Sequence, residues 1–222
     1  MPRWIPVPPK FTISGGRDGQ VASMARLGLK PVFLLIALAF VAHVARADDS
    51  TMDHVALDSE RSHAEFGVKV MWLLTVHGHF GKVSGDVDVD RFRNFASVNA
   101  RIDANAVEMG TKSYSEWVKS DEFFDVAHYP EIRFVSESFP LQRLRHGGEL
   151  SGTLTIRGTD QPATFDLEPS ECEHPAYECP IVVTGSIRRS AFGMRSRRGA
   201  LSDKVDLHFE VFAVPSAERL NP

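Results

Sequence analysis

The chain has 222 residues, 43% hydrophobic and 24% charged, with 25 Lys/Arg against 29 Asp/Glu and a net charge of −4 with histidine neutral. Residues 1–47 hold six Lys/Arg and one Asp, so the remaining 175 residues carry 19 basic and 28 acidic side chains, net −9. That balance excludes a nucleic-acid binder, whose affinity needs clustered positive charge, while 175 residues suffice for one domain with a real core.

Residues 1–23 contain four prolines and no periodicity, and read as an extension upstream of a true start at Met24. Met24 to Lys30 is basic, Pro31 to Ala42 is an apolar run too short for a membrane span, and Ala45-Arg46-Ala47 is an A-x-A cleavage site. The expectation is a signal peptide over 24–47 and an exported mature domain over 48–222, with no stable membrane insertion after cleavage. No cysteine stands directly after the apolar run, so no lipoprotein anchor is expected.

The mature domain opens with a period-two pattern: Ala64, Phe66, Val68 and Val70 on one face, His63, Glu65, Gly67 and Lys69 on the other. Met71 to Val76 is apolar without alternation and reads as a bend or a short helical turn. A second strand starts at His77 and continues with Val83, Val87 and Val89 inward, and Gly81 and Gly85 permit sharp bending. Val98, Ala100, Ile102 and Ala104 give a third strand.

The period then changes. Tyr114, Trp117 and Val118 are spaced three and four apart and suit a short helix, and Pro130 biases Tyr129 to extended geometry, which ends any helix there. Between them stand Phe123 and Phe124. This stretch reads as a lid whose aromatic side covers something apolar, or as a plug that only completes a core. If it ends helically, Phe123 and Phe124 diverge by roughly 100° and Trp117 shares the inner side with Phe124. Strands resume at Ile132–Phe139, at Leu150–Ile156 and, after a Gly158–Pro162 turn, at Ala163–Leu167, with Arg145–Gly148 as a further turn. Ile181, Val183 and Ile187 make the next strand, and Val205 to Ala213 the last.

Cys172 and Cys179 are the only cysteines, and in an exported chain a pair reads first as a disulfide. Its eight-residue loop would contribute roughly 2.5 kcal/mol in the chain-entropy model. A metal site with His174 is the other reading, but the spacing matches no standard zinc pattern. Arg188, Arg189, Arg195, Arg197 and Arg198 form one local basic cluster, read as a solvated loop that could meet an anionic head group.

About eight strands, each with one apolar face and joined by short turns, exclude a parallel sheet. A sandwich or a closed up-and-down barrel remains, and no long Greek-key connection is evident. The inward residues are rich in Val and Ala, so a barrel would keep an apolar volume that must either collapse or hold an apolar ligand.

Three motifs carry a resemblance: Gly152-Thr-Leu154-Thr155-Ile156-Arg157-Gly158-Thr159, Ser120-Asp121-Glu122-Phe123-Phe124-Asp125 with Tyr129-Pro130, and Gly185-Ser-Ile187-Arg188-Arg189-Ser190-Ala-Phe192-Gly193. In order and spacing, from about Val55 to Val214, the chain resembles the YceI family. The resemblance implies an all-β fold, an eight-stranded antiparallel lipocalin-like barrel with a short helical lid. It also implies a periplasmic protein that holds an isoprenoid-chain lipid, often as a homodimer, with no catalytic residues. The chain departs from the family at Tyr114-Ser115 and Trp117-Val118, where an Arg-Asp and a His-Leu are usual, and at Asp160-Gln161-Pro162, where Thr-Arg-Pro is usual. The first departure lies in the lid, where ligand identity or admission would be affected.

The leading expectation is a carrier of a polyisoprenoid or quinone-like lipid, with no cofactor beyond that lipid. The residues expected to line the lumen are Phe66, Val68, Val87, Ile102, Trp117, Phe124, Phe134, Leu154, Ile156, Phe165, Leu207 and Phe209. Leaving water, such a chain gains roughly 0.8 kcal/mol per buried CH₂. Leaving a bilayer it gains almost nothing, so the barrel would carry or store lipid rather than compete with membranes. Two alternatives stand beside this: a metal-assisted hydrolase using His77 and His79, and a ligand-free interaction module filled by its own side chains. His77 and His79 share a strand face but have no evident third ligand. Asp121, Glu122 and Asp125 could form a paired-carboxylate site, but carboxylates near a helix end usually cap or face water.

Overall fold

The computed structural model describes residues 52–215. The expected extension, signal peptide and cleavage site lie outside the described residues. Within them runs one antiparallel 12-stranded sheet: β1 (Met52–Ala56), β2 (His63–Val70), β3 (Leu74–Phe80), β4 (Val83–Asp90), β5 (Phe95–Asp103), β6 (Val107–Met109), β7 (Glu131–Ser136), β8 (Phe139–Pro140), β9 (Gly148–Ile156), β10 (Thr159–Leu167), β11 (Ile181–Arg188) and β12 (Leu201–Val211). The sequence leads one to expect about eight, and the difference lies in breaks rather than topology. β3 and β4 are one path bent at Gly81-Lys82, and β5 and β6 are its neighbour, bent at a 3-10 turn over Ala104–Ala106. β1 pairs with β4 and β2 with β3, so the first two strands form a broken partner along the same path. β7 and β8 both pair with β5. Four broken strands and β9 to β12 make an eight-membered meander, and β12 pairs with β2 to close it.

The break between β1 and β2 is fastened from inside. Ser62 is fully buried, accepts from the Phe212 amide at 2.9 Å on its hydroxyl, and its carbonyl accepts from Val83 N at 3.1 Å. Gly85 has φ +138° with the Asn99 carbonyl where a side chain would start, a conformation open only to glycine.

Register follows the alternation. Val205, Leu207 and Phe209 stand opposite Val68, Phe66 and Ala64, so the apolar faces of β12 and β2 coincide. The run Met71–Val76 is not a helical turn. Leu73 N donates to Val70 O at 3.1 Å, and the chain reverses over residues 71–73, after which Leu74 and Val76 continue as strand. Met71 and Trp72 both have left-handed backbone, φ 49° and 64°. That suits the strand twist, but it favours Asn-Gly and costs about 1–2 kcal/mol per residue for other side chains. Large apolar residues thus stand where the fold prefers small polar ones.

The lid begins with α1 (Lys112–Lys119), capped by Thr111, whose hydroxyl accepts from Tyr114 N at 3.3 Å. The helix stops at Ser120, and residues 120–130 fold back as turns in which Phe124 N donates to Val118 O at 3.0 Å and Asp125 N to Ser120 O at 2.8 Å. α1, the β2–β3 turn, the β9–β10 turn and the β11–β12 loop gather at one end of the barrel, the lid end. The other end carries the β4–β5 turn, the short α2 (Arg143–His146) and the cysteine loop. The residues read as a turn at Arg145–Gly148 are thus the end of α2, followed by Gly147 at φ +75°.

Cys172 and Cys179 form a disulfide with Cα atoms 6.4 Å apart. Its loop is tied into the barrel floor: Ala176 N donates to Cys179 O at 2.9 Å, and Ala176 O accepts from Ala213 N at 2.7 Å. Replacing both cysteines by serine is expected to cost about 2.5 kcal/mol, by the loop-closure argument, and to lower the urea midpoint. An unchanged midpoint would show that the loop is held by its hydrogen bonds alone.

Candidate functional site: the barrel lumen

The inward faces of the strands enclose a cavity of about 1080 Å³. That is at the upper end of the roughly 300–1,000 Å³ usual for small-molecule sites. Two aromatic groups shape its wall. At mid-barrel the Phe134 and Phe165 rings lie 5.1 Å apart and the Phe165 and Phe209 rings 5.7 Å, both edge to face. Towards the lid, Phe66 meets Phe80 at 5.7 Å, and Phe124 closes on both, at 6.0 and 5.7 Å. Inward glycines seat these rings. A side chain at Gly78 would run into Phe66 and Met109, and one at Gly185 would start 2.6 Å from Phe165.

All twelve expected residues lie in the cavity wall: Phe66 and Val68 from β2, Val87 from β4, Ile102 from β5, Phe134 from β7, Leu154 and Ile156 from β9, Phe165 from β10, Leu207 and Phe209 from β12, with Trp117 of α1 and Phe124 beyond it. Leu74, Val76 and Phe80 of β3 line it too; the sequence reading missed Leu74 and Val76 because it took Met71–Val76 as a bend or a short helical turn, and it placed Phe80 in the next strand without assigning it inward. Their own alternation with Thr75, His77 and His79 was the available signal. At the far end Leu141, Leu144 and Ala176 contribute to the wall.

The two lid phenylalanines part company. Phe124 enters the barrel. Phe123 is 7% exposed and packs under α1 against Trp117, ring centroids 4.9 Å apart. Trp117 and Phe124 both border the cavity, but the ring that Trp117 meets is that of Phe123, because the chain leaves the helix at Ser120 and helical spacing no longer sets the angles. Trp117 is held from three sides, by Phe123, by Glu122 Oε2, which accepts from its Nε1 at 2.8 Å, and by the Arg197 guanidinium 5.7 Å from its ring.

The lid carboxylates are engaged structurally. Glu122 also faces Arg197 at 3.6 Å. Asp125, with left-handed backbone, pairs with His128 Nδ1 at 2.8 Å and lies 3.8 Å from Arg157. The hydrogen bond to Asp125 raises the His128 pKa above its ordinary 6.5, with the Asp125 charge adding to it. Asp121 is exposed. His77 and His79 point away from the lumen, and His79 Nε2 lies 3.4 Å from Glu108. Among the described residues no group of three or more His, Cys, Asp or Glu side chains is placed to hold a metal ion.

One residue of the basic cluster is misplaced by the sequence reading. Arg189 is not solvated: it is 3% exposed, and its guanidinium donates to the carbonyls of Met194, Ser196 and Ser202 at 2.8 Å and of Leu201 at 3.2 Å. Burial lowers its pKa, against the opposing pull of Asp203. The next residue, Ser190, donates from its amide and hydroxyl to Asp203 at 2.9 and 2.8 Å. Arg189 and Ser190 thus hold together the loop at the lid end of the lumen. Arg195, Arg197 and Arg198 remain exposed.

Comparison with known proteins agrees with this architecture. A UPF0312 protein of Yersinia enterocolitica is 25% identical over 186 residues, covering 81% of this chain and 96% of the relative. The crystal structure of Burkholderia cenocepacia BcnA superposes with a TM-score of 0.59 at 24% identity, covering 72% of this chain and 99% of that one. A polyisoprenoid-binding domain from Saccharophagus degradans, implicated in plant cell wall breakdown, superposes with a TM-score of 0.56 at 15% identity, covering 73% and 98%. The model of the YceI-like domain matches residues 56–213, and the chain is a member of the YceI-like family.

Proposed function

We propose that this protein is an exported, periplasmic lipid carrier that holds a polyisoprenoid or quinone-like isoprenoid chain in its barrel lumen and performs no chemistry on it. The observation that carries the reading is the lumen itself, about 1080 Å³ walled almost wholly by aliphatic and aromatic side chains. Left dry and unfilled, such a volume would deprive its apolar lining of packing partners. Water is a poor occupant, since a buried water needs two to four polar partners that this wall does not offer along its length. A long apolar chain fits both constraints. The same argument weighs against a module filled by its own side chains.

The family relation and the fold shared with a polyisoprenoid-binding domain support an isoprenoid ligand in particular. The periplasmic address rests on the leader pattern over residues 24–47, and a disulfide suits an oxidising compartment. Native mass spectrometry of protein purified from its own periplasm, followed by organic extraction, tests the reading. A stoichiometric isoprenoid supports it, and a barrel that neither carries nor takes up such a lipid refutes it.

Replacing His77 and His79 together by Ala is expected to leave lipid retention unchanged, because both face away from the lumen. A stoichiometric metal in the native protein, lost in that variant together with a hydrolytic activity, would overturn the carrier reading.

A further inference from the structure

We propose that the tip of the β2–β3 hairpin docks the lid end of the barrel on an anionic lipid bilayer. Four consecutive large apolar residues stand in solvent there: Met71 is 61% exposed, Trp72 72%, Leu73 87% and Leu74 70%. Single exposed apolar side chains are ordinary, but a contiguous run at a protruding tip marks an interaction surface. Trp among Leu and Met suits the interfacial zone of a bilayer, which takes an amphipathic ring together with aliphatic side chains. The tip carries these residues although the backbone at Met71 and Trp72 is left-handed, where the turn would favour Asn or Gly.

Two features of the surroundings select a membrane as the occupant. The first is charge. Met71 N donates to Ala200 O at 2.7 Å, which sets the tip against the loop that exposes Arg195, Arg197 and Arg198. Residues 188–200 contain five arginines and no acid, in a mature chain of net charge −9. Arg197 is shared with Glu122 and Trp117, which leaves Arg195 and Arg198 for anionic head groups. The second is continuity with the lumen. Val70 and Leu74, on either side of the tip, line the cavity, as do Arg197 and the half-exposed Tyr114. An apolar path therefore runs from the tip into the barrel, and a docked barrel would meet its lipid without that lipid crossing water.

The test uses residues 48–222, which contain every strand of the barrel, with extruded vesicles of phosphatidylcholine alone or with phosphatidylglycerol, all free of isoprenoid lipid. The expected result is co-sedimentation with the mixed vesicles and a blue shift of tryptophan emission that is lost when Trp72 is replaced by Phe, with Trp117 left in place. Trp72→Ser with Leu73→Ser should cut partitioning at least about tenfold with no change in melting temperature, because neither side chain is buried. Arg195→Gln and Arg198→Gln should each weaken binding about fivefold, on anionic vesicles only. Binding that ignores the hairpin substitutions overturns the proposal. So does a parent that binds no vesicle, or one that sediments as a dimer which the hairpin substitutions dissociate, the tip then being the seat of a second copy. The vesicles carry no cargo, so this result and the contents of the lumen are decided separately.

Discussion

Replacing Arg189 by Met is expected to destabilise the barrel by about 3–5 kcal/mol, because the variant removes a buried guanidinium and leaves four buried or part-buried backbone carbonyls without their donor. For a domain of this size that is a fall of roughly 10 °C in melting temperature. Arg189→Lys should recover little of it. An ammonium is a compact point charge with three donors, whereas the carbonyls are spread over residues 194–202 and match the planar fork of a guanidinium. The neighbouring Asp203 gives a second readout. Burial alone would raise its pKa, but the two hydrogen bonds from Ser190 and the charges of Arg189 and Arg188 outweigh it, so the carboxyl titrates below its ordinary value. A carboxyl depressed in the folded state contributes stability above its unfolded pKa and loses it as pH falls through the folded one. Ser190→Ala should therefore be less stable than the parent at neutral pH, and the gap should close in acid. A gap that stays constant into acid would show that Ser190 acts through the backbone of the loop instead. A melting temperature unchanged in Arg189→Met would show that water satisfies the carbonyls.

How much of this was legible in the sequence depends on which physical rule each element obeys. The barrel was legible because a wall with one apolar face writes period two into every strand, and Phe66, Phe165 and Phe209 each stand in such a run. Of the breaks, the bend at Gly81 was legible, since glycine permits it, and the others were not: how far a closed sheet must bend at Ala104–Ala106 is a property of closure rather than of local pattern. β3 was misread for a related reason: its first apolar residues adjoin an apolar turn, so alternation is masked where Met71–Leu73 joins Leu74. Arg189 was unreadable from composition, since an arginine that satisfies a loop's carbonyls and one that faces solvent look alike in a basic run. The disulfide was legible from the cysteine count together with the expected export.

Phe124→Ala is expected to release lipid at least about tenfold faster while costing less stability than Phe123→Ala, although the two residues are adjacent and chemically identical. Phe123 is buried beneath α1 against Trp117, where it borders the cavity and anchors the helix, so truncating it strips packing from α1 and should cost about 3–5 kcal/mol. Phe124 lies in the lumen wall, against Phe66 and Phe80. Its removal enlarges a space that ligand already shares, so no closed void forms and the penalty falls short of that range. What is lost is the ring that narrows the lumen beneath the lid. Trp117→Ala should fall between the two. It strips the cover from Phe123 and frees Arg197 and Glu122 from the ring that organises them, so it should loosen both the fold and the lid. Melting curves and the release of a fluorescent prenyl lipid, measured on all three variants, separate these roles. If Phe124→Ala loses as much stability as Phe123→Ala and the molecules that remain folded retain lipid as well as the parent, the 120–130 segment is a plug, and admission to the lumen must be sought at the disulfide end of the barrel.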